Sequence, residues 1–175
     1  SQSGSSVEVI SNRIKNEISF SFNENDVSIL HKDKDITSLL RSETTAKIAS
    51  ELSALTKTRE DLLTIQRDFY NQDGLVADGR DMGTVVFPKA ALKIFLTASP
   101  EVRAKRRHLE LQKRGQEVNM LDLIADIELR DMKDRTRTLS PLIPAEDSVV
   151  IDSSNMSIDE VLSFTKKLTK KEFNK

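Results

Sequence analysis

Apolar and polar positions change period along the chain, and the period predicts the elements. In Ile18-Ser19-Phe20-Ser21-Phe22 an apolar residue stands at every second position, the spacing of a strand with one covered face. Asn23 to Asp26 has turn composition and Val27 to His31 alternates again, so the pair predicts a hairpin, with Ile36-Thr37 as a short third strand. Ahead of it, Ser1 to Ser6 reads as a loop or frayed end and Val7 to Arg13 as a short helix. After it the period lengthens. Ile48, Leu52 and Leu55 place a helix over Thr44 to Leu55, and Leu62, Leu63, Ile65, Gln66 and Phe69 place another over Glu60 to Tyr70.

The second half carries short unbroken apolar runs at Gly74-Leu75-Val76-Ala77, Leu92 to Leu96 and Val149-Val150-Ile151, which read as buried strands. Ser99 and Pro100 open a helix that ends near Gly115, with the hydroxyl residue at the cap and proline in the first turn. Asn119 to Arg137 is a long, charge-dense helical stretch, Pro141 and Pro144 mark a loop, and Ser157-x-x-Glu160 is a capping box for a final helix to about Phe173. Buried strands alternating with helices indicate an α/β domain with a parallel sheet, and the hairpin forms a small antiparallel module beside it. The 175 residues suit one domain.

Composition narrows the class. Apolar residues make up 37% and charged residues 31%, the profile of a folded globular chain. Twenty-seven basic side chains nearly cancel 28 acidic ones, which argues against a nucleic-acid binder. With no cysteine, disulfides and thiolate metal sites are excluded; His31 and His108 stand far apart, and no metal-ligand spacing occurs. No apolar run reaches the roughly 18 residues of a membrane span, and the N-terminal residues carry no signal pattern. The expectation is a cytoplasmic protein.

Four constellations could carry chemistry. Asp78-Gly79-Arg80-Asp81-Met82-Gly83-Thr84 follows a strand, where α/β sheets bind ligands; its Arg and Asp offer a phosphate clamp and a hydrogen-bond acceptor, or only a turn with a local ion pair. Arg130, Asp134 and Arg137 fall at i, i+4 and i+7 and share one helix face. By pattern alone that face reads as a solvated, salt-bridged surface; a pocket needing several guanidinium groups would read it otherwise. The Arg103 to Arg107 cluster reads as an ordinary basic face, and Asp152-Ser153 as loop chemistry leading into a helix cap.

At these residues the chain resembles a known family. Gly74 to Pro88 (GLVADGRDMGTVVFP) is similar to the signature segment of bacterial cytidylate kinases. The resemblance continues through Lys93 to Ser99, Ala104 to Arg107, Arg130 to Arg137, Pro141 to Ala145 and Val150 to Ser153, and is weakest over the first forty-odd residues. It implies a P-loop nucleoside monophosphate kinase fold, a parallel sheet flanked by helices, in one domain over residues 1–175 that is incomplete at its N-terminus. An antiparallel CMP-binding insert is implied at residues 15–40 and a mobile lid at residues 119–139. It implies phosphoryl transfer from ATP, with Mg2+, to CMP or dCMP, by a monomer with neither nucleic-acid nor membrane partners.

The resemblance also implies roles. Asp81 accepts from the cytosine amino group, an N4 donor where uracil has the O4 acceptor. Ser50 and Arg59 hold the rest of the base edge, Arg130 and Asp134 the ribose, and Arg80 and Arg137 the CMP phosphate. Arg80, Arg130 and Arg137 are thereby the implied catalytic set, since phosphoryl transfer needs positioning and charge stabilisation. Arg106 resembles an arginine on the ATP side.

One departure is large. The family opens with a strand and a glycine-rich loop whose amides, lysine and hydroxyl cradle the ATP phosphates and magnesium. No G-x-x-x-x-G-K-S/T occurs in the 175 residues; Gly4 stands alone with no lysine after it. That strand is central, so its neighbours lose pairing partners and cover. The match runs without a gap from Ser6 onward, which favours simple loss of the N-terminal segment over its supply by another chain. The alternative function is a non-catalytic module that binds CMP without turnover. An RNA-associated domain built on the arginine-rich helices is disfavoured by the charge balance and by one tyrosine, seven phenylalanines and no tryptophan.

Overall fold

A computed structural model describes residues 12–14, 16–23 and 27–174. The Ser1 to Ser6 loop, most of the Val7 to Arg13 helix and most of the Asn23 to Asp26 turn lie outside the described residues. The chain divides into two compact units, Ser1–Leu75 and Val76–Lys175.

In the first unit, β1 (Ile18–Phe22) pairs antiparallel with β2 (Val27–His31), in a register that sets Ile18 against His31 and Phe20 against Ile29. Lys32 and Asp33 both take positive φ, 49° and 63°, the tight left-handed pair whose twist suits a two-residue hairpin. β3 (Lys34–Asp35) follows as the third strand. The expected strand at Ile36-Thr37 is therefore displaced. The Thr37 hydroxyl, rather than its backbone, accepts the Ile29 amide at 2.8 Å, and the Asp35 carboxylate accepts the Thr37 amide at 2.8 Å. These bonds end the ladder and start the one-turn helix α1 (Thr37–Leu40).

Two longer helices complete the unit. α2 (Glu43–Ser53) is capped by Ser42, whose hydroxyl accepts the Thr45 amide. α3 (Thr56–Arg67) begins one turn earlier and ends three residues sooner than the apolar spacing predicts. Its inner face is anchored by buried Ile65, while Phe69 and Tyr70 remain exposed beyond its end.

In the second unit, Gly74 to Ala77 is not a strand, against expectation. A strand exists only through a neighbouring backbone, and among the described residues nothing pairs with this segment; Leu75 and Val76 are exposed. The chain then winds into a π-type turn over Met82–Val86, with the Val86 amide on the Asp81 carbonyl and the Phe87 amide on the Met82 carbonyl. β4 (Ile94–Thr97) starts two residues later than predicted and pairs parallel with β5 (Val149–Asp152), Ile94 facing Val149 and Thr97 facing Asp152.

Three helices complete the described residues of this unit. α4 (Pro100–Lys113) has the expected Ser99 cap and proline start. It ends in a Schellman motif, with Gly115 at φ 72° and the Gln116 amide on the Leu111 carbonyl. α5 (Met120–Thr136) is capped by Asn119, and α6 (Ile158–Phe173) by the reciprocal Ser157–Glu160 box. Val86, Ala98, Ala104, Leu111 and Ile151 form the core. The strands are less buried than expected, for Leu96 and Val150 are exposed. In a two-stranded sheet each side chain has one lateral neighbour instead of two. The fold is thus mixed α/β, with a three-stranded antiparallel sheet and a two-stranded parallel one.

One ion cluster of the first unit yields a test. The Glu17 carboxylate bonds His31 Nε2 at 2.9 Å, with Arg13 at 3.3 Å and Lys32 at 3.5 Å. The His31 bond, followed by Arg13 and Lys32, outweighs desolvation and lowers the Glu17 carboxyl to about 2. A depressed carboxyl stabilises the fold above its ordinary range, and that contribution is lost as pH falls toward 2. In a carboxyl NMR titration, His31→Ala is expected to move the Glu17 midpoint back up toward the ordinary carboxylate range.

Candidate functional site

Asp134 is the centre of the site. It lies on the last turn of α5, and its carboxylate is 4% exposed. Arg80 donates Nε to its Oδ2, Arg137 donates Nη1 to its Oδ1 at 3.4 Å, and Arg130 Nε stands at 4.0 Å one helical turn earlier. The i, i+4, i+7 spacing therefore forms a single face, as the sequence predicts, and Arg80 joins it from 54 residues away.

The backbone fixes this geometry. Arg137 sits at the C-cap of α5, where the chain leaves the helix. Its Nε donates to the Ser140 carbonyl at 2.6 Å, across a turn in which Ser140 takes φ 49°. The Leu142 amide returns to the Asp134 carbonyl at 2.8 Å, so the post-helix loop folds back on the helix end. On the other side, Asp81 follows Arg80 directly and is 8% exposed. Its carbonyl accepts the Val85 and Val86 amides at 2.9 and 3.2 Å, which locks the turn that carries both residues.

A second pair braces α5. Arg103 forks onto Asp131, Nη1 to Oδ1 at 2.9 Å and Nη2 to Oδ2 at 2.5 Å, and donates Nε to the Ala98 carbonyl at 3.0 Å. The Arg103 guanidinium, with Arg135 and Arg80 adding to it, holds the Asp131 carboxyl below the usual carboxylate range. Pattern reading placed Arg103 on a solvated basic face. The signal available was only that Asp131 adjoins Arg130, and nothing in the sequence pairs it with a residue 28 positions away.

The remaining expected residues stand elsewhere. Arg106 is not part of the arginine cluster. Its Nη1 donates to the Ser153 hydroxyl at 3.1 Å, and its Nη2 to the carbonyls of Ser153 at 2.7 Å and Met156 at 3.3 Å. It thus closes the loop after β5, where Ser153 is buried and donates to the Thr97 carbonyl at 3.0 Å. Ser50 and Arg59 belong to the first unit and lie about Ser53. The Ser53 hydroxyl donates to the Ser50 carbonyl at 2.9 Å, and the Ser53 carbonyl accepts Arg59 Nε at 2.6 Å.

The electrostatics favour an anion. Three guanidinium groups face the Asp134 carboxylate, and the Arg80 and Arg130 side chains are 37% and 42% exposed. A phosphate monoester carries about −1.5 to −2 charge at neutral pH, a charge that such a cluster attracts. Guanidinium forks also suit its oxygens. Among the described residues no three His, Asp or Glu side chains converge as metal ligands. Nor is any helix of those residues long and apolar enough to cross a membrane.

Comparison with known proteins places this site in a family context. The family model described as cytidylate kinase matches residues 4–171. Cytidylate kinase 1 of Haemophilus influenzae is 47% identical over 146 residues, covering 83% of this chain and 63% of that protein. The cytidylate kinase of Proteus mirabilis is 44% identical over 156 residues, with 87% and 69% covered. That of Photobacterium profundum is 52% identical over 135 residues, with 77% and 59% covered. The chain thus spans between 59% and 69% of the length of these relatives.

Asp134→Ala is expected to lower stability by about 2 kcal/mol in urea unfolding. That is less than the cost of breaking a fully buried ion pair, because Arg80 and Arg130 keep solvent access. The double change Arg80→Met with Asp134→Leu is expected to recover part of the loss.

Proposed function

Because this chain belongs to the cytidylate kinase family, we propose that it carries the acceptor-nucleotide side of an enzyme that transfers the γ-phosphoryl group of ATP to CMP or dCMP. The observation that supports this most directly is that one turn sets Arg80, a member of the three-arginine cluster about Asp134, next to the buried acceptor Asp81.

In this reading Arg80 and Arg137 grip the CMP phosphate and neutralise charge as its oxygen attacks the γ-phosphorus of ATP. ADP leaves and CDP forms. No protein nucleophile takes part, so the chain contributes positioning and charge stabilisation. Arg130 and Asp134 take the ribose, which requires that Asp134 share its carboxylate between the guanidinium groups and a sugar hydroxyl. Asp81 accepts from the cytosine amino group, and a carboxylate against the uracil O4 would be left unpaired. Ser50 and Arg59 serve the base edge. The Asn119 to Leu139 stretch acts as the lid, and the β1–β3 sheet lies in the insert of the family fold. Arg106 shapes the loop after β5 toward the ATP side. Magnesium arrives with ATP; it helps neutralise the transferred phosphoryl charge.

A second reading, binding of CMP without turnover by these 175 residues, draws on the absence of any G-x-x-x-x-G-K-S/T within them. Calorimetric titration with CMP beside a coupled kinase assay separates the two. Binding with turnover supports the enzyme, binding alone supports the module, and no binding removes both.

Asp81→Ala is expected to reduce the preference for CMP over UMP by about ten- to a hundredfold, the worth of one charge-assisted hydrogen bond. Relative affinities, or relative kcat/KM where turnover occurs, measure it. An unchanged ratio would remove Asp81 from base recognition.

A further inference from the structure

Lys93 has no place in the proposed chemistry, yet it is among the most completely engaged cations of the second unit. Its side chain is 8% exposed. The ammonium donates to the Pro88 carbonyl at 2.6 Å and to both oxygens of Asp147, at 2.8 and 2.7 Å. Three donors thus meet three acceptors, the condition under which a buried ammonium is tolerated. Asp147 is 64% exposed, so it would keep water if the lysine were removed.

The lysine stem faces the Asp81 turn. A Cβ placed on Gly83 would come within 3.3 Å of Lys93 Cδ and 3.5 Å of Cγ, so the aliphatic chain lies directly against the turn backbone at Gly83. The backbone of the same residue starts the parallel ladder, its carbonyl accepting the Val149 amide at 2.9 Å. One residue therefore joins the sheet, the loop before β5, and both the near and the far end of the Met82–Pro88 segment.

We infer that Lys93 is a positioning residue for specificity: it holds the Met82–Pro88 segment in register with β4, and thereby fixes Arg80 and Asp81, which it does not touch. The turn also carries bonds of its own, from the Val85, Val86 and Phe87 amides and from the Thr84 hydroxyl to the Asp81 carbonyl at 3.4 Å. A π-type turn built from a Gly, a Thr and two β-branched valines has weak intrinsic preference for that shape. Lys93 adds a brace from outside the turn. The consequence for base selection rests on the cytidine reading above; the brace itself does not.

The test uses the whole chain and two readouts. In amide hydrogen exchange, Lys93→Met keeps the stem and removes the ammonium. The Val85, Val86 and Phe87 amides are then expected to exchange about tenfold faster, the loss of one charge-assisted bond, with α6 amides unchanged. Asp147→Asn, at an exposed position, is expected to give a smaller acceleration at the same amides. Exposed Lys89→Met is expected to give none. In calorimetry, Lys93→Met is expected to lower the CMP-to-UMP affinity ratio about tenfold.

Unchanged exchange at the three amides, or equal acceleration throughout the unit, overturns the brace. Faster local exchange with an unchanged CMP-to-UMP ratio overturns its role in specificity. If Lys93→Met does not fold, Asp147→Asn decides by the same two readouts. A parent chain without CMP affinity defeats the cytidine reading, while the exchange arm still tests the brace.

Discussion

The second unit is organised around a carboxylate that would be costly to bury alone. Asp134 is nearly inaccessible to water, and its charge is tolerated because guanidinium groups reach it from two separate segments. Satisfying it draws the Asp78–Asp81 turn to the end of α5 and holds the post-helix loop at Ser140 to Leu142.

The second constraint is where rigidity comes from. α5 is held along its length by unlike devices: Arg103 forked on Asp131 braces it against α4, and the Asp134 cluster secures its last turn. The Asp81 turn is held by its own backbone bonds and by the buried Lys93 stem beneath Gly83. Charged side chains do this work where the apolar core is small, since the second unit's strands leave Leu96 and Val150 exposed. A parallel ladder of two strands gives little lateral cover, and long-range ion pairs supply the ties that a wider sheet would make by packing.

Much of this was legible from residue order. Caps are local chemistry, so Ser42, Ser99, Asn119 and the Ser157–Glu160 box start helices where a hydroxyl or amide oxygen can meet an orphan amide. The β1–β2 hairpin follows from strict alternation. The Arg130–Asp134–Arg137 face follows from helical geometry alone. The errors share one cause. Gly74 to Ala77 has strand composition but no partner among the described residues, and past the Ile36 amide, which still reaches the Ile29 carbonyl, the Thr37 hydroxyl takes the next bond in place of its backbone. Strand identity is a property of two segments, so one segment's pattern cannot decide it.

Residue order by itself therefore determined most of the helices, the antiparallel hairpin and the family to which the chain belongs. Tertiary structure decided which charged side chains meet. It joined Arg80 to Asp134 and Arg103 to Asp131, sent Arg106 to the loop after β5, and set Lys93 under the Asp81 turn. The physical reason is range. Periodicity and capping are settled within one or two turns of chain, whereas the pairing of buried charges depends on which distant segments exclude water together.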